Sequence, residues 1–425
     1  MFTDVLEMEA TGILPMRWIK EAARDNILYT ERYKIPEENF QPASIDLQLG
    51  VKAYRLRCSF LPDESTVLEK LPELEMEELD LRDGAILERN RPYLIPLIEE
   101  LRLPESVYAK ANPKSSTGRL DIFTRVITDR SHRFDDIAPG YQGQLFLEVV
   151  SRSFTIRVKT GLSLNQLRLV KGDPKCGDGE ILDLHRNSPI LLSAAGQMDQ
   201  LREPACNNTI SLGANLTNKP TGVGYRAKKN SSLIDLTRVY HYDPGDYWEP
   251  VFADRSSRLI LEPEEFYLLT SAESVSIPPD YAAEMTAYDP SSGELRTHYA
   301  GFFDPGFGYG EQGRLAGVQP VMEVRAHDVP FMIEHGQSIC SLTFERMLEA
   351  PDKWYGAEVG SSYQGKGLIL SKHFLPETNH WQLALFEGDE RVAAQQAVAE
   401  NRDGDTNSGV IKSVETKPLG DTESN

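Results

Sequence analysis

Two groups of residues in this sequence could do chemistry. The first is the run Asn112-Pro113-Lys114-Ser115-Ser116-Thr117-Gly118-Arg119, in which small hydroxyl residues and a glycine lie between two cations. Such a run suits a polyphosphate, because backbone N–H groups and hydroxyls can approach the oxygens while Lys and Arg neutralise them. As a bare pattern it is equally a Ser/Gly turn on a β protein. The second is Glu148, a single carboxylate in the apolar run Leu145-Phe146-Leu147-Glu148-Val149-Val150. Strand alternation puts Phe146, Glu148 and Val150 on one face. If that face is buried, desolvation raises the carboxyl pKa towards a value useful for proton transfer; on a half-exposed strand it simply meets solvent. Glu323 repeats the feature in Val321-Met322-Glu323-Val324.

Other chemistries lack their residues. The eight histidines include no H-x-E, and Pro204-Ala205-Cys206 lacks the second cysteine of P-C-x-x-C, so the ligand signature of a zinc nucleoside deaminase is missing. There is no G-x-x-x-x-G-K-[ST] and no G-x-S-x-G, which argues against a P-loop NTPase and an α/β hydrolase. Asp183 with His185, and Asp243 near His241, read as turn or surface residues rather than metal ligands.

The elements that must position these residues are mostly strands. The chain has 425 residues, 40% hydrophobic and 9% aromatic, which is long for a single core. Short alternating or apolar runs bounded by Pro, Gly, Asp and Asn dominate, such as Ser44–Gly50, Gly143–Val150 and Phe154–Lys159, and predict an all-β barrel or sandwich. One short N-terminal helix is expected over Met16–Arg24 behind Pro15. With 45 basic and 65 acidic residues the net charge is −20, unsuited to coating duplex nucleic acid or an anionic membrane, though not to a small anion in a basic pocket. No apolar run is long enough to span a bilayer, the start lacks the layout of a signal peptide, and the four cysteines are scattered. A cytoplasmic setting with reduced thiols is the expectation.

The pattern occurs twice. Pro92-Tyr93-Leu94-Ile95, Leu103-Pro104-Glu105, Lys114-Ser115-Ser116, Glu148 and Lys159-Thr160-Gly161 are followed by Phe266-Tyr267-Leu268-Leu269, Ile277-Pro278-Pro279, Pro290-Ser291-Ser292, Glu323 and Glu334-His335-Gly336, at offsets of 174 to 176 residues. Five landmarks at one spacing mark a tandem duplication of a β domain. The expected organisation is a first β domain over residues 1–186, a linker with little regular structure over 187–229, a second β domain over 230–375, and an extension over 376–425 that is disordered after about residue 400.

With these blocks in this order, the sequence resembles the dCTP deaminases of the trimeric dUTPase-like superfamily. Lys114-Ser115-Ser116-Thr117-Gly118-Arg119-Leu120 resembles the family's [RK]-S-S-x-x-R-L nucleotide motif, and Pro139-Gly140-Tyr141-Gln142-Gly143-Gln144-Leu145-Phe146-Leu147-Glu148 its Pro-Gly…Leu-Glu strand pair. Pro42–Gly50 resembles the early strand, and Ser362-Tyr363-Gln364-Gly365-Lys366-Gly367 a C-terminal lid; the likeness spans residues 41–170 and 255–370 and fits a double-length form. The resemblance implies a tandem of distorted β-barrels (β-clip domains) that turns dCTP and water into dUTP and ammonia, without zinc and with Mg²⁺ carried on the triphosphate. It further implies a homo-oligomer, such as a trimer of two-domain chains, and feedback by dTTP.

By this resemblance Glu148 is the proton-transferring carboxylate, Ser115 positions the water, and Arg119 supports both. Lys114, Ser116, Thr117 and Gly118 bind phosphates, Phe146 and Leu147 line the pocket, and Tyr355, Tyr363 and Lys366 close over the substrate. Two departures suggest a division of labour: Ala138 replaces the family's Asp in the first copy whereas Asp304 keeps it, and Pro290-Ser291-Ser292-Gly293-Glu294-Leu295-Arg296 lacks the first cation and places its Arg late. The expectation is that the first copy holds the catalytic loop and Glu148, and the second supplies the lid and scaffold. A dUTP diphosphatase, a bifunctional enzyme forming dUMP, and a non-catalytic nucleotide-sensing or scaffold barrel are the alternatives. Asp136 is a poor base for the diphosphatase, and Ser115, Arg119 and Glu148 together argue against the scaffold.

Overall fold

Pro15 fixes an extended entry into α1 (Met16–Arg24), the expected helix, which buries Trp18, Ile19 and Ala22. Beyond it the computed structural model is built almost wholly of strands. It describes residues 1–31, 33–192, 207–286, 295–298, 301–310, 317–326, 328–354 and 370–376, and residues 1–375 form one compact unit.

Eight strands of the first half are β1 (Ile45–Gln48), β2 (Ala85–Leu87), β3 (Tyr93–Arg102), β4 (Val107–Pro113), β5 (Ile122–Ile127), β6 (Gln142–Ser151), β7 (Ile156–Val158) and β8 (Ser163–Lys171). Their counterparts in the second half are β9 (Ile210–Gly213), β10 (Arg258–Leu261), β11 (Phe266–Thr270), β12 (Tyr281–Thr286), β13 (Leu295–His298), β14 (Val321–Ala326), β15 (Phe331–Glu334) and β16 (Ser338–Arg346). The pairings repeat strand for strand, all antiparallel. β6 lies between β3 and β5 as β14 lies between β11 and β13; β8 joins β4 and β1 as β16 joins β12 and β9; β7 pairs β2 as β15 pairs β10. Glu148 stands opposite Leu94, and Glu323 opposite Leu268, the same place in each copy.

The expected linker over 187–229 is not one. Residues 210–213 are β9, a strand of the second sheet, and Gly224–Ala227 pairs with β11. Gly, Asn and Pro punctuate strands only four residues long there, so composition hides them. Asp178–Asn187 is a helix in which His185 is buried and Asp183 exposed, and Asp243 caps the turn Pro244–Tyr247 by accepting from the Gly245 N–H at 2.8 Å. The expected disordered tail lies outside the described residues.

The two halves differ in what covers the same sheet face. In the first half, Phe146 packs with Leu56, Leu94 and Ile127 beneath α2 (Val67–Leu74), a helix started by a capping box at Thr66 and Glu69. In the second, Phe266 and Leu268 of β11 belong to the core of the first half itself, together with Leu120 and Ile122. An aromatic group seals this seam: Phe154 of the first half meets Tyr247 and Trp248 edge-on, and Phe374 meets the same two rings from the far end of the chain.

The seam also carries buried charge. Lys110 of β4 pairs with Glu284 at 3.0 Å and Glu345 at 3.2 Å. Arg168 of β8, wholly buried, donates to the Ala283 and Phe303 carbonyls at 3.1 and 2.9 Å, meets Asp304 at 3.2 Å, and lies over the Phe302 ring. Removing one member of such a set leaves charge without a partner, which costs more than the set contributes when intact. Arg168→Ala is expected to lower unfolding free energy by about 3–5 kcal/mol, measured by urea denaturation.

Candidate active site

The turn between β4 and β5 is one tight helical turn, α3 (Ser115–Gly118), with Lys114 at its N-cap position. Its backbone is satisfied internally: Thr117 and Gly118 donate N–H to the Lys114 carbonyl at 2.8 and 3.0 Å, and Arg119 to that of Ser115 at 3.1 Å. Ser115 is exposed, while Ser116, Thr117, Gly118 and Arg119 are buried. The Lys114 ammonium pairs with the Asp46 carboxylate of β1.

Glu148 is not part of this group. Its register partner on β5 is Arg125, and the Arg125 guanidinium pairs with the wholly buried Glu148 carboxylate, Nε lying 3.0 Å from Oε1. Arg125 also donates to Ser59 Oγ at 2.9 Å and stacks on Phe134, so the carboxylate is closed in by its own half. Within this chain, the carboxylate expected to serve Ser115 and Arg119 is thus held by Arg125 instead. Phe146 is a core residue under α2 and Leu147 a residue of the main core, and Thr117 points inward too.

Glu323 takes the position expected of Glu148. A Cβ added at Gly118 would overlap both carboxylate oxygens of Glu323 and lie 2.7 Å from its Cδ, so the carboxylate rests directly on the motif turn. Burial pushes the Glu323 carboxyl well above the ordinary carboxylate range; Arg119 opposes that and Asp121 adds to it. A buried carboxyl of raised proton affinity beside the motif turn meets the electrostatic requirement of proton transfer.

Further groups converge on the same turn. Asp304, in the turn before Pro305 and Gly306, is raised by burial, lowered by Arg168, and senses the charge of Asp46. Ser371 Oγ donates to the Ser116 carbonyl at 2.7 Å, which anchors the chain after residue 370 on the motif. The next residue, Lys372, has its ammonium pKa lowered by burial and by nearby Lys114, with Asp46 acting the other way. Tyr355, Tyr363 and Lys366, the expected lid residues, lie outside the described residues.

Sequence reasoning singled out Glu323 as a recurrence and Asp304 as a family Asp kept in the second copy, while giving that copy the lid and scaffold and leaving open whether the two residues are catalytic. It missed Asp46, Asp121 and Lys372. The available signal was that copy two keeps both the Glu and the Asp of the strand-pair block, whereas copy one keeps only the Glu.

The comparisons with known proteins agree with this architecture. Residues 10–173 match the N-terminal domain of 2'-deoxycytidine 5'-triphosphate deaminase (DCD), and residues 178–374 match its C-terminal domain. A dCTP deaminase of Natronomonas pharaonis is 32% identical over 143 residues, covering 33% of this chain and 67% of that protein. A dUMP-forming dCTP deaminase of Leifsonia xyli is 32% identical over 167 residues, covering 37% of this chain and 78% of that protein. The crystal structure of 2'-deoxycytidine 5'-triphosphate deaminase from Agrobacterium tumefaciens superposes with a TM-score of 0.74 at 44% identity, over 80% of this chain and all of that one. Two dUTPase-like halves joined in one chain, with a motif turn facing a buried carboxylate, define the class. The chain belongs to the dCTP deaminase family.

Gly118 tests the contact between turn and carboxylate. Its backbone is not in the left-handed region, so alanine is allowed there except for the collision with Glu323. A displacement of about 1 Å at a reacting group costs on the order of 100-fold. Gly118→Ala is expected to lower kcat by that order in steady-state assays of ammonia release while the protein remains folded by circular dichroism.

Proposed function

We propose that this chain deaminates dCTP to dUTP and ammonia at a site formed between its two halves, with Glu323 as the proton-transferring carboxylate. The observation that carries this reading is the contact of the raised-pKa Glu323 carboxyl with Gly118 of the Lys-Ser-Ser-Thr-Gly-Arg turn. Hydrolytic deamination adds water to C4 of cytosine and expels ammonia. Glu323 takes a proton from the attacking water as the C4–O bond forms and passes it to N3; it then takes the second proton from the new C4 hydroxyl and gives it to the departing amine as the C4–N bond breaks, leaving a C4 carbonyl. A carboxyl with raised proton affinity suits both steps.

In this reading Ser115, exposed at the start of α3, holds the water, and Arg119 offsets the carboxylate charge as it forms. Lys114, the Ser116 backbone and Lys372 supply positive charge and N–H donors for the triphosphate. Asp304 is the polar group on the far side, suited to the deoxyribose. Mg²⁺ would arrive on the phosphates and neutralise them. Among the described residues, the one cluster with metal-ligand spacing, Asp63, Glu64 and His132, is exposed ahead of α2 rather than on the turn. A dTTP molecule carries the same sugar and triphosphate and should compete here. Both sides of the site come from one chain, so a homo-oligomer is not needed to bring them together. No helix among the described residues is long and apolar enough to cross a membrane, and the acidic net charge of −20 disfavours nucleic acid.

The test is purified protein with dCTP and Mg²⁺, with ammonia measured and nucleotides resolved by anion exchange. Stoichiometric ammonia and dUTP are expected; dUMP with diphosphate in place of dUTP would mark a bifunctional enzyme, and nucleotide binding without ammonia would refute deamination. Glu323→Gln should lower kcat by about 10²- to 10⁴-fold, whereas Glu148→Gln should retain turnover and lose stability. The reverse order would return the catalytic role to Glu148.

A further inference from the structure

Two residues beyond Glu323 on the same face of β14 stands Arg325, buried like it. Arg325 Nη2 pairs with the Asp121 carboxylate, and Nη1 donates to the Glu264 carbonyl. Asp121 closes the motif turn: its N–H donates to the Gly118 carbonyl at 2.8 Å, and its own carbonyl accepts from the Arg152 N–H at 2.9 Å. It is a non-glycine residue held in the left-handed region, φ 56°, and its carboxylate also accepts from Ser153 Oγ at 2.6 Å. Asp121 is thus fixed by the first half on three sides, and Arg325 by the strand that bears Glu323. The equivalent of Arg325 in the first half is Val150, so the pair belongs to this junction alone.

Resting on the reading of Glu323 given above, we propose that Asp121 and Arg325 are positioning residues for the deamination: the ion pair sets β14 against the motif turn, and so sets where the Glu323 carboxylate stands and how readily it holds a proton. Among the described residues, the charged groups facing Glu323 are Arg119 and Asp121 from the turn and Arg325 from its own strand, and the titratable His298 is its register partner on β13. Behind them Arg152 pairs with Glu264 at 2.8 Å. The negative Asp121 raises the proton affinity of Glu323, and a positive charge two residues along the same strand face opposes it. Removing either charge therefore moves that affinity in a known direction.

The experiment is the pH profile of kcat/KM for dCTP in Asp121→Asn, Arg325→Gln and the double variant, with thermal stability measured alongside. Asp121→Asn removes a negative charge that raises Glu323 and should move the acidic limb to lower pH by about one unit; Arg325→Gln removes a nearby positive charge and should move it up by a similar amount. Both should lower kcat by about tenfold or more with little change in KM, and Arg325→Lys should recover part of the loss. If a single variant does not fold, the double variant, with no unpaired charge, carries the test: its limb should return towards that of the parent while kcat stays low. Limbs that do not move, or that move together, with kcat per folded molecule unchanged, would show a merely structural pair and overturn the proposal. Full turnover by Glu323→Gln would instead overturn the reading of Glu323 on which it rests.

Discussion

A carboxylate held out of water against a glycine is the constraint that organises this protein. Glu323 reaches Gly118 because the outer face of β14 and β11 is buried on the first half of the chain. Everything else at the seam serves that approach. The Arg325–Asp121 pair locks the strand to the turn, the aromatic group around Phe154 and Trp248 excludes water beside it, and the Lys110 and Arg168 networks fix the neighbouring sheets. Without burial the Glu323 carboxyl would be an ordinary acid, ionised and weakly basic at neutral pH.

The duplication sets two equivalent carboxylates in different surroundings. Glu148 and Glu323 occupy the same register in the same kind of sheet, yet the face of β6 is covered by α2 and its carboxylate is taken by Arg125. The motif turn shows the opposite loss, since Pro290 replaces the cation Lys114 in the second copy. Each half has kept one component, and the seam joins the two. Lys110 and Glu284 tell the same story in charge: they hold equivalent positions on β4 and β12, carry opposite signs, and pair with each other. First half on first half would set Lys against Lys, so the sign reversal favours the mixed pairing.

Much of this was legible in the sequence. The repeat offset, the β architecture, the helix behind Pro15 and the Lys-Ser-Ser-Thr-Gly-Arg turn all follow from local composition and spacing, which act over a few residues. The different surroundings of Glu148 and Glu323 did not, because they depend on which element covers a sheet face, and that is decided by contacts far apart in sequence, such as Arg325 with Asp121, 204 positions away. Strands β9 and Gly224–Ala227 were lost in an apparent linker, since four-residue strands set among glycine, asparagine and proline are too short to show the alternation that marks longer ones. Asp121 and Arg325 gave no signal at all: they lie 204 residues apart, and neither belongs to a recognisable motif.

The most direct measurement of the central claim is a crystal structure of the Glu323→Gln variant bound to dCTP and Mg²⁺. The account predicts one nucleotide per chain, with its phosphates on the turn beginning at Lys114 and cytosine C4 within hydrogen-bond reach of position 323, both contributed by the same chain. A cytosine ring beside Glu148, or a turn and a carboxylate supplied by different chains, would contradict it.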